Sequence, residues 1–96
     1  MPTIGQIAQR RNEIIAVASS HGASNVRVFG SVARNEAGPQ SDLDVLVHMD
    51  EDRSLLDRIA LMQDLEDMLK VPVDVVNEKA IPAAIRDRVE QEAMPL

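Results

Sequence analysis

The chain has no cysteine and only one aromatic residue, Phe29. Without cysteine it has no disulfides, no thiolate metal ligands and no thiol nucleophile. A single aromatic ring argues against binding single-stranded nucleic acid by base stacking, which needs several such platforms. Positive charge is also scarce: 10 Lys and Arg face 16 Asp and Glu, a net charge of −6. A surface gripping nucleic acid through its phosphates would need the opposite balance, so no direct nucleic-acid binding is expected. No apolar run approaches the roughly 20 residues that span a bilayer, and Met1–Arg11 carries no secretory apolar segment. A cytoplasmic protein without membrane association is the expectation.

What is present suffices for one core. The 96 residues, 45% of them hydrophobic, predict a single domain over 1–96. Ile4, Ile7, Ala8, Ile14, Ile15 and Ala18 form a helical stripe, opened by Thr3 and Gln6 as a capping box and closed at His21-Gly22. Asn25–Phe29 alternates as a short strand. Gly30-Ser31 follows at once, and Val32-Ala33-Arg34 opens a short helix that Gly38-Pro39 ends. Leu43–Met49 reads as a second strand. Ser54 caps an amphipathic helix carrying Leu55, Leu56, Ile59, Met62, Leu65, Met68 and Leu69. Lys70-Val71-Pro72 stops it, Val73–Val76 is a third strand, and Ile81-Pro82 begins a last helix with Ile85, Val89 and Ala93 on its apolar stripe. Met94-Pro95-Leu96 is expected to be extended. The order αβ(α)βαβα predicts an α/β (α+β) fold, a small mixed β-sheet with flanking helices.

Several charges stand where a core alone would not want them. Asp42 and Asp44, two apart at the start of the second strand, leave the same face of the sheet. Asp74 opens an otherwise apolar third strand. Like charges about 4 Å apart repel by about 1 kcal/mol in water and about 4 kcal/mol at an effective dielectric of 20. A divalent cation offsets that repulsion, and hard oxygen ligands favour magnesium or manganese. Taken alone, Asp42 reads more simply as a turn or cap residue and Asp44 as a solvated strand end. Strand direction sharpens the pattern. If the first pair of strands is antiparallel and the second parallel, joined by the long helix, then Gly30, Ser31, Asp42, Asp44 and Asp74 meet at one edge of the sheet. Gly-Ser at a strand-to-helix turn lets a phosphate approach the backbone, and it is also an ordinary capped turn.

Gly30-Ser31, ten intervening residues, Asp42-Leu43-Asp44 and a later Asp74 together resemble the nucleotidyltransferase superfamily that includes DNA polymerase β. The wider string GSVARNEAGPQSDLDVLV and the closing EAMPL are similar to the minimal nucleotidyltransferase (MNT) family of prokaryotes. The resemblance covers essentially the whole chain. It implies the nucleotidyltransferase fold, with ATP as substrate and two Mg2+ ions (or Mn2+). Gly30 and Ser31 would hold the triphosphate, and Asp42 and Asp44 would bind metal. Asp74 would serve as a shared ligand or general base beside the acceptor hydroxyl. Arg34 either reaches a phosphate or is a solvated helix charge. Asn35 stands where many relatives carry Gly, a departure confined to the loop.

Members of that family are commonly antitoxins of MNT–HEPN toxin–antitoxin pairs. Some transfer AMP to a tyrosine of the HEPN-type toxin. The resemblance therefore implies a protein adenylyltransferase in a hetero-oligomer with such a toxin. With no acceptor-holding domain in 96 residues, the acceptor is expected on another molecule, docked on apolar residues near Ile81–Leu96. Two alternatives stand beside this: an antitoxin that only masks its toxin, and a small-molecule nucleotidyltransferase with a separate acceptor-binding subunit. His48 reads as a plain strand residue and His21 as a cation at a helix C-terminus.

Overall fold

A computed structural model describes Met1–Leu96. Its helices are α1 (Ile4–Gln9), α2 (Arg11–Ser20), α3 (Gly30–Ala33), α4 (Leu55–Leu69) and α5 (Ala83–Glu92). Its strands are β1 (Ala23–Phe29), β2 (Leu43–Met49), β3 (Val73–Asn77) and β4 (Met94–Pro95), and a single 3-10 turn covers Glu78–Ala80. The strands form one mixed sheet in the order β3-β2-β1-β4. β1 runs antiparallel to β2 and β4, and β2 runs parallel to β3. These are the directions the sequence predicts for the first three strands. The closing segment goes further than expected, since Met94 and Pro95 add a short edge strand opposite Val28 and Arg27.

Local chemistry accounts for most boundaries. Thr3 and Ser54 both cap their helices with reciprocal boxes, to Gln6 and Asp57 respectively. Lys70 ends α4 in the left-handed conformation at φ 59°, and Gly22 turns into β1 at φ 77°. The expected single first helix is instead two. Arg10 leaves helical geometry at φ −103° and sends its guanidinium to the Met68 carbonyl at the end of α4, 3.1 Å away. That contact spans 58 positions in sequence, so no local periodicity reports it.

Strand alternation builds two unequal faces. Val26 and Val28 of β1, Leu43, Val45, Val47 and Met49 of β2, and Val73 and Val75 of β3 point to one side. There they pack with Ile7, Ile14, Ala18, Leu61 and Leu65 from the helices. On the other side only Leu46, Ile81 and Val89 are buried, with Phe29, Val76 and Ala93 packed against them. Ile81 and Val89 therefore belong to this second core rather than to an open docking face, and Ile85 and Met94 are the exposed apolar residues of that region. Ile15, Leu55 and Leu56 also depart from the expected stripes, because the helices present them to solvent.

Leu61 is fully enclosed in the main core, whereas Leu56 is 75% exposed. Leu61→Ala is expected to cost about 3 kcal/mol through lost burial and the cavity left behind, and Leu56→Ala under about 0.5 kcal/mol. Urea unfolding of the two variants checks the contrast.

Candidate active site

The sparsely covered face carries the acidic residues. Parallel pairing of β2 with β3 sets Asp44 directly opposite Asp74, and antiparallel pairing with β1 sets Asp44 opposite Phe29. Asp42 lies just before β2 and is exposed, as is Asp74, while Asp44 is half-buried. Gly30-Ser31 follows Phe29 immediately, so the turn, Asp42, Asp44 and Asp74 all gather at one end of β1–β3. The structure brings together every residue that sequence spacing singles out for this site.

Electrostatics mark Asp44 as the focus. Burial pushes its carboxyl up to about 6, and the neighbouring charges of Asp74 and Asp42 push in the same direction. Arg34 opposes them only in part. No three acidic or histidine side chains converge closely enough, as they stand, to cage an ion by themselves. Magnesium does not demand such a cage, since it is commonly held by one or two carboxylates plus substrate phosphates. The donor set is all carboxylate oxygen, and its members repel one another where a divalent cation would relieve them. Chemically, the residues fit a hard cation that arrives with its substrate.

Gly30 has a reason of its own to be glycine. Its φ is +73°, and a Cβ there would lie 2.1 Å from Asp44 Oδ2. The room over its Cα is thus taken by the Asp44 carboxylate. Asn35 also has a positive φ, 59°, which asparagine tolerates almost as glycine does.

Arg34 is not a free solvated charge. Its Nε donates to Glu36 Oε2 at 3.0 Å and its Nη1 to Glu92 Oε1 at 2.9 Å. These bonds, to Glu36 first and then Glu92, raise its pKa further. Glu92 also accepts the Gly30 N–H at 2.6 Å. Sequence reasoning passed over Glu92, although it opens the closing EAMPL string; nothing local tells that it reaches back 62 residues.

Beside the carboxylates lies an open cleft of about 270 Å³, lined mostly by apolar side chains including Phe29, Val76, Ile81 and Ile85 as well as Asp44 and Asp74. The two histidines lie outside it. His21 meets Asp64 at 2.6 Å, and His48 meets Glu78 at 3.2 Å, which Arg27 also binds. His48 is thereby part of a charged cluster rather than a plain strand residue.

Comparison with known proteins fits this geometry. The nucleotidyltransferase domain family matches residues 12–95. The chain belongs to the nucleotidyltransferase family. Within it, a solved candidate minimal nucleotidyltransferase has a TM-score of 0.87 at 44% identity, covering 99% of this chain and 97% of that one. A candidate protein adenylyltransferase of Methanocaldococcus jannaschii is 39% identical over 88 residues, 92% of this chain and 95% of the relative. A more distant likeness of fold is to a chain in the structure of a tri-AMPylated Shewanella oneidensis HEPN toxin in complex with an MNT antitoxin. It has a TM-score of 0.70 at 20% identity and covers 92% of this chain and 69% of that one. These matches place the chain in the minimal branch of the nucleotidyltransferases, with the mixed sheet and flanking helices of that fold. No helix of this nucleotidyltransferase is long and apolar enough to cross a membrane.

Two expectations follow. With its carboxyl raised from 3.8 to about 6, Asp44 holds a proton in the folded chain that the unfolded chain has released between those pH values. Stability therefore falls as pH rises through that window, and Asp44→Asn should remove the loss. After solvent screening of a half-exposed group, the variant is expected to be about 1 kcal/mol more stable than wild type at neutral pH. Urea unfolding should show that gain at pH above 7 and none below the ordinary carboxylate range. Gly30→Ala should be strongly impaired, because its methyl would collide with the Asp44 carboxylate at a positive φ. Nucleotide binding and thermal unfolding of that variant check it.

Proposed function

We propose that this nucleotidyltransferase transfers AMP from ATP to a hydroxyl, that of a tyrosine, on a HEPN-type toxin, and that it acts as the antitoxin of that toxin in a hetero-oligomer. The observation that carries the reading is the pairing of Asp44 with Asp74 beside the Gly30-Ser31 turn. The 39% identity to a candidate protein adenylyltransferase supports the reaction class. The shared fold with a chain from an AMPylated toxin–antitoxin complex supports the kind of partner.

In this reading the turn of Gly30 and Ser31, with Arg34, holds the triphosphate. Asp42, Asp44 and Asp74 hold divalent metal, Mg2+ or Mn2+, with two ions expected from the family resemblance. When bound, such ions neutralise phosphate charge and stabilise both the attacking and the leaving oxygen of an in-line displacement. Asp74 faces the acceptor hydroxyl, either sharing a metal or taking its proton as the oxygen attacks the α-phosphorus and pyrophosphate leaves. The apolar cleft beside Asp44 and Asp74 offers room for groups next to the reacting centre. Ile85, exposed and lining that cleft, is suited to meet the partner.

Two measurements test the reading. Calorimetry with ATP and Mg2+ should show binding by wild type and at least tenfold weaker binding by Asp42→Asn/Asp44→Asn. Intact mass spectrometry of the partner, after incubation with ATP and Mg2+, should show one or more added AMP groups. Asp74→Asn should lower that yield at least a hundredfold while leaving partner binding within about twofold, because Asp74 lies in the acidic site and not on α5. An unmodified partner that the Asp74→Asn protein neutralises fully would identify an antitoxin acting by binding alone.

A further inference from the structure

The last helix does more than cover the second face of the sheet. Glu92, its final residue, turns back to the start of α3, and its side chain is only 18% exposed. One oxygen, Oε1, accepts both the Gly30 N–H at 2.6 Å and Arg34 Nη1 at 2.9 Å. The two donors bracket Ser31, one residue before it and three after. Hydrogen bonds to a charged acceptor are shorter and stronger than neutral ones, and these tie the end of α5 to two points of the turn about 60 residues earlier.

The position is a costly one for a brace. Glu92 adds a further negative charge beside Asp44, Asp42 and Asp74. An uncharged acceptor would satisfy the Gly30 N–H without that repulsion, so the charge is explained by Arg34. Glu36 takes Nε of the same guanidinium at 3.0 Å, and the two carboxylates together fix its plane while leaving Nη2 without a protein partner. Gly30 is held at φ +73° by the same oxygen, and the orientation of the Gly30 peptide sets where Ser31 stands.

We propose that Glu92 is a positioning residue for the nucleotide: its carboxylate holds the Gly30-Ser31 turn and the Arg34 guanidinium together in the arrangement that receives the triphosphate. The inference rests on the nucleotidyl-transfer reading above. It makes the end of α5, the element that also carries exposed Ile85, a structural link between the protein's surface and its nucleotide site.

Glu92→Ala and Glu92→Gln test it through nucleotide binding, amide exchange and thermal midpoint. In Glu92→Ala the Gly30 amide should exchange at least roughly tenfold faster, and the affinity for ATP with Mg2+ should fall roughly tenfold, while the protein still unfolds cooperatively. Glu92→Gln keeps an oxygen acceptor for both donors and should stay within about threefold of wild-type affinity. A role confined to stability would lower the thermal midpoint in both variants and leave affinity unchanged, which overturns the proposal. Tighter ATP binding by Glu92→Ala also overturns it, by showing the carboxylate to be an anion that competes with phosphate. Should Glu92→Ala not fold, Glu92→Asp takes its place: it keeps the charge and loses the reach, so affinity equal to wild type refutes positioning. Wild-type protein that binds no ATP refutes the nucleotidyl-transfer reading and this proposal with it, whereas the Gly30 exchange rates report on the tether independently.

Discussion

Parallel pairing of β2 with β3 in a register that sets Asp44 opposite Asp74 is the constraint around which the molecule is organised. A one-residue slip would flip every side chain of β3 to the other face. Val73 and Val75 would then leave the main core, and Asp74 would enter it. The apolar burial of those two valines therefore holds the two carboxylates in place. Repulsion between the acids is overcome by hydrophobic contacts on the opposite side of the same strand. It adds to the burial that raises the pKa of Asp44, and the strand pairing is kept.

The two faces of the sheet divide the work. One is closed by α1, α2 and α4 over a continuous layer of aliphatic side chains and supplies most of the burial. The other has only a small apolar cluster beneath α5, which leaves a cleft open beside the carboxylates. An antiparallel or mixed sheet tolerates such asymmetry, because only one face must be fully covered. Here the less covered face is where charge, a glycine turn and an exposed apolar fringe coincide. Gly30 is shaped by this crowding, since its missing side chain leaves the space in which the Asp44 carboxylate stands.

Membership of the nucleotidyltransferase family agrees with the economy of the site. In-line transfer between phosphate and a hydroxyl asks for positioning and charge stabilisation more than for covalent chemistry by the protein. The carboxylates that gather here come from two adjacent strands, β2 and β3, and from the residue just before β2, with the Gly30-Ser31 turn beside them. The contacts of Glu92 add α5 to the same site.

Much of this is legible in the amino-acid sequence itself. Alternation and capping residues located the strands and helices, because these depend on neighbours a few positions away. Gly30, Ser31, Asp42, Asp44 and Asp74 stood out because charge and glycine interrupt apolar runs, and their convergence follows from strand direction. What only the tertiary structure decided involves partners far apart in sequence. Arg10, where the first helix is interrupted, reaches Met68, Pro95 and Met94 become an edge strand against β1, and Ile81 and Val89 turn inward under Leu46. The reach of Glu92 to Gly30 and Arg34 is of the same kind. Periodicity records which face of an element is apolar, but not which distant group will satisfy a charge. That choice is made only when the chain has closed on itself.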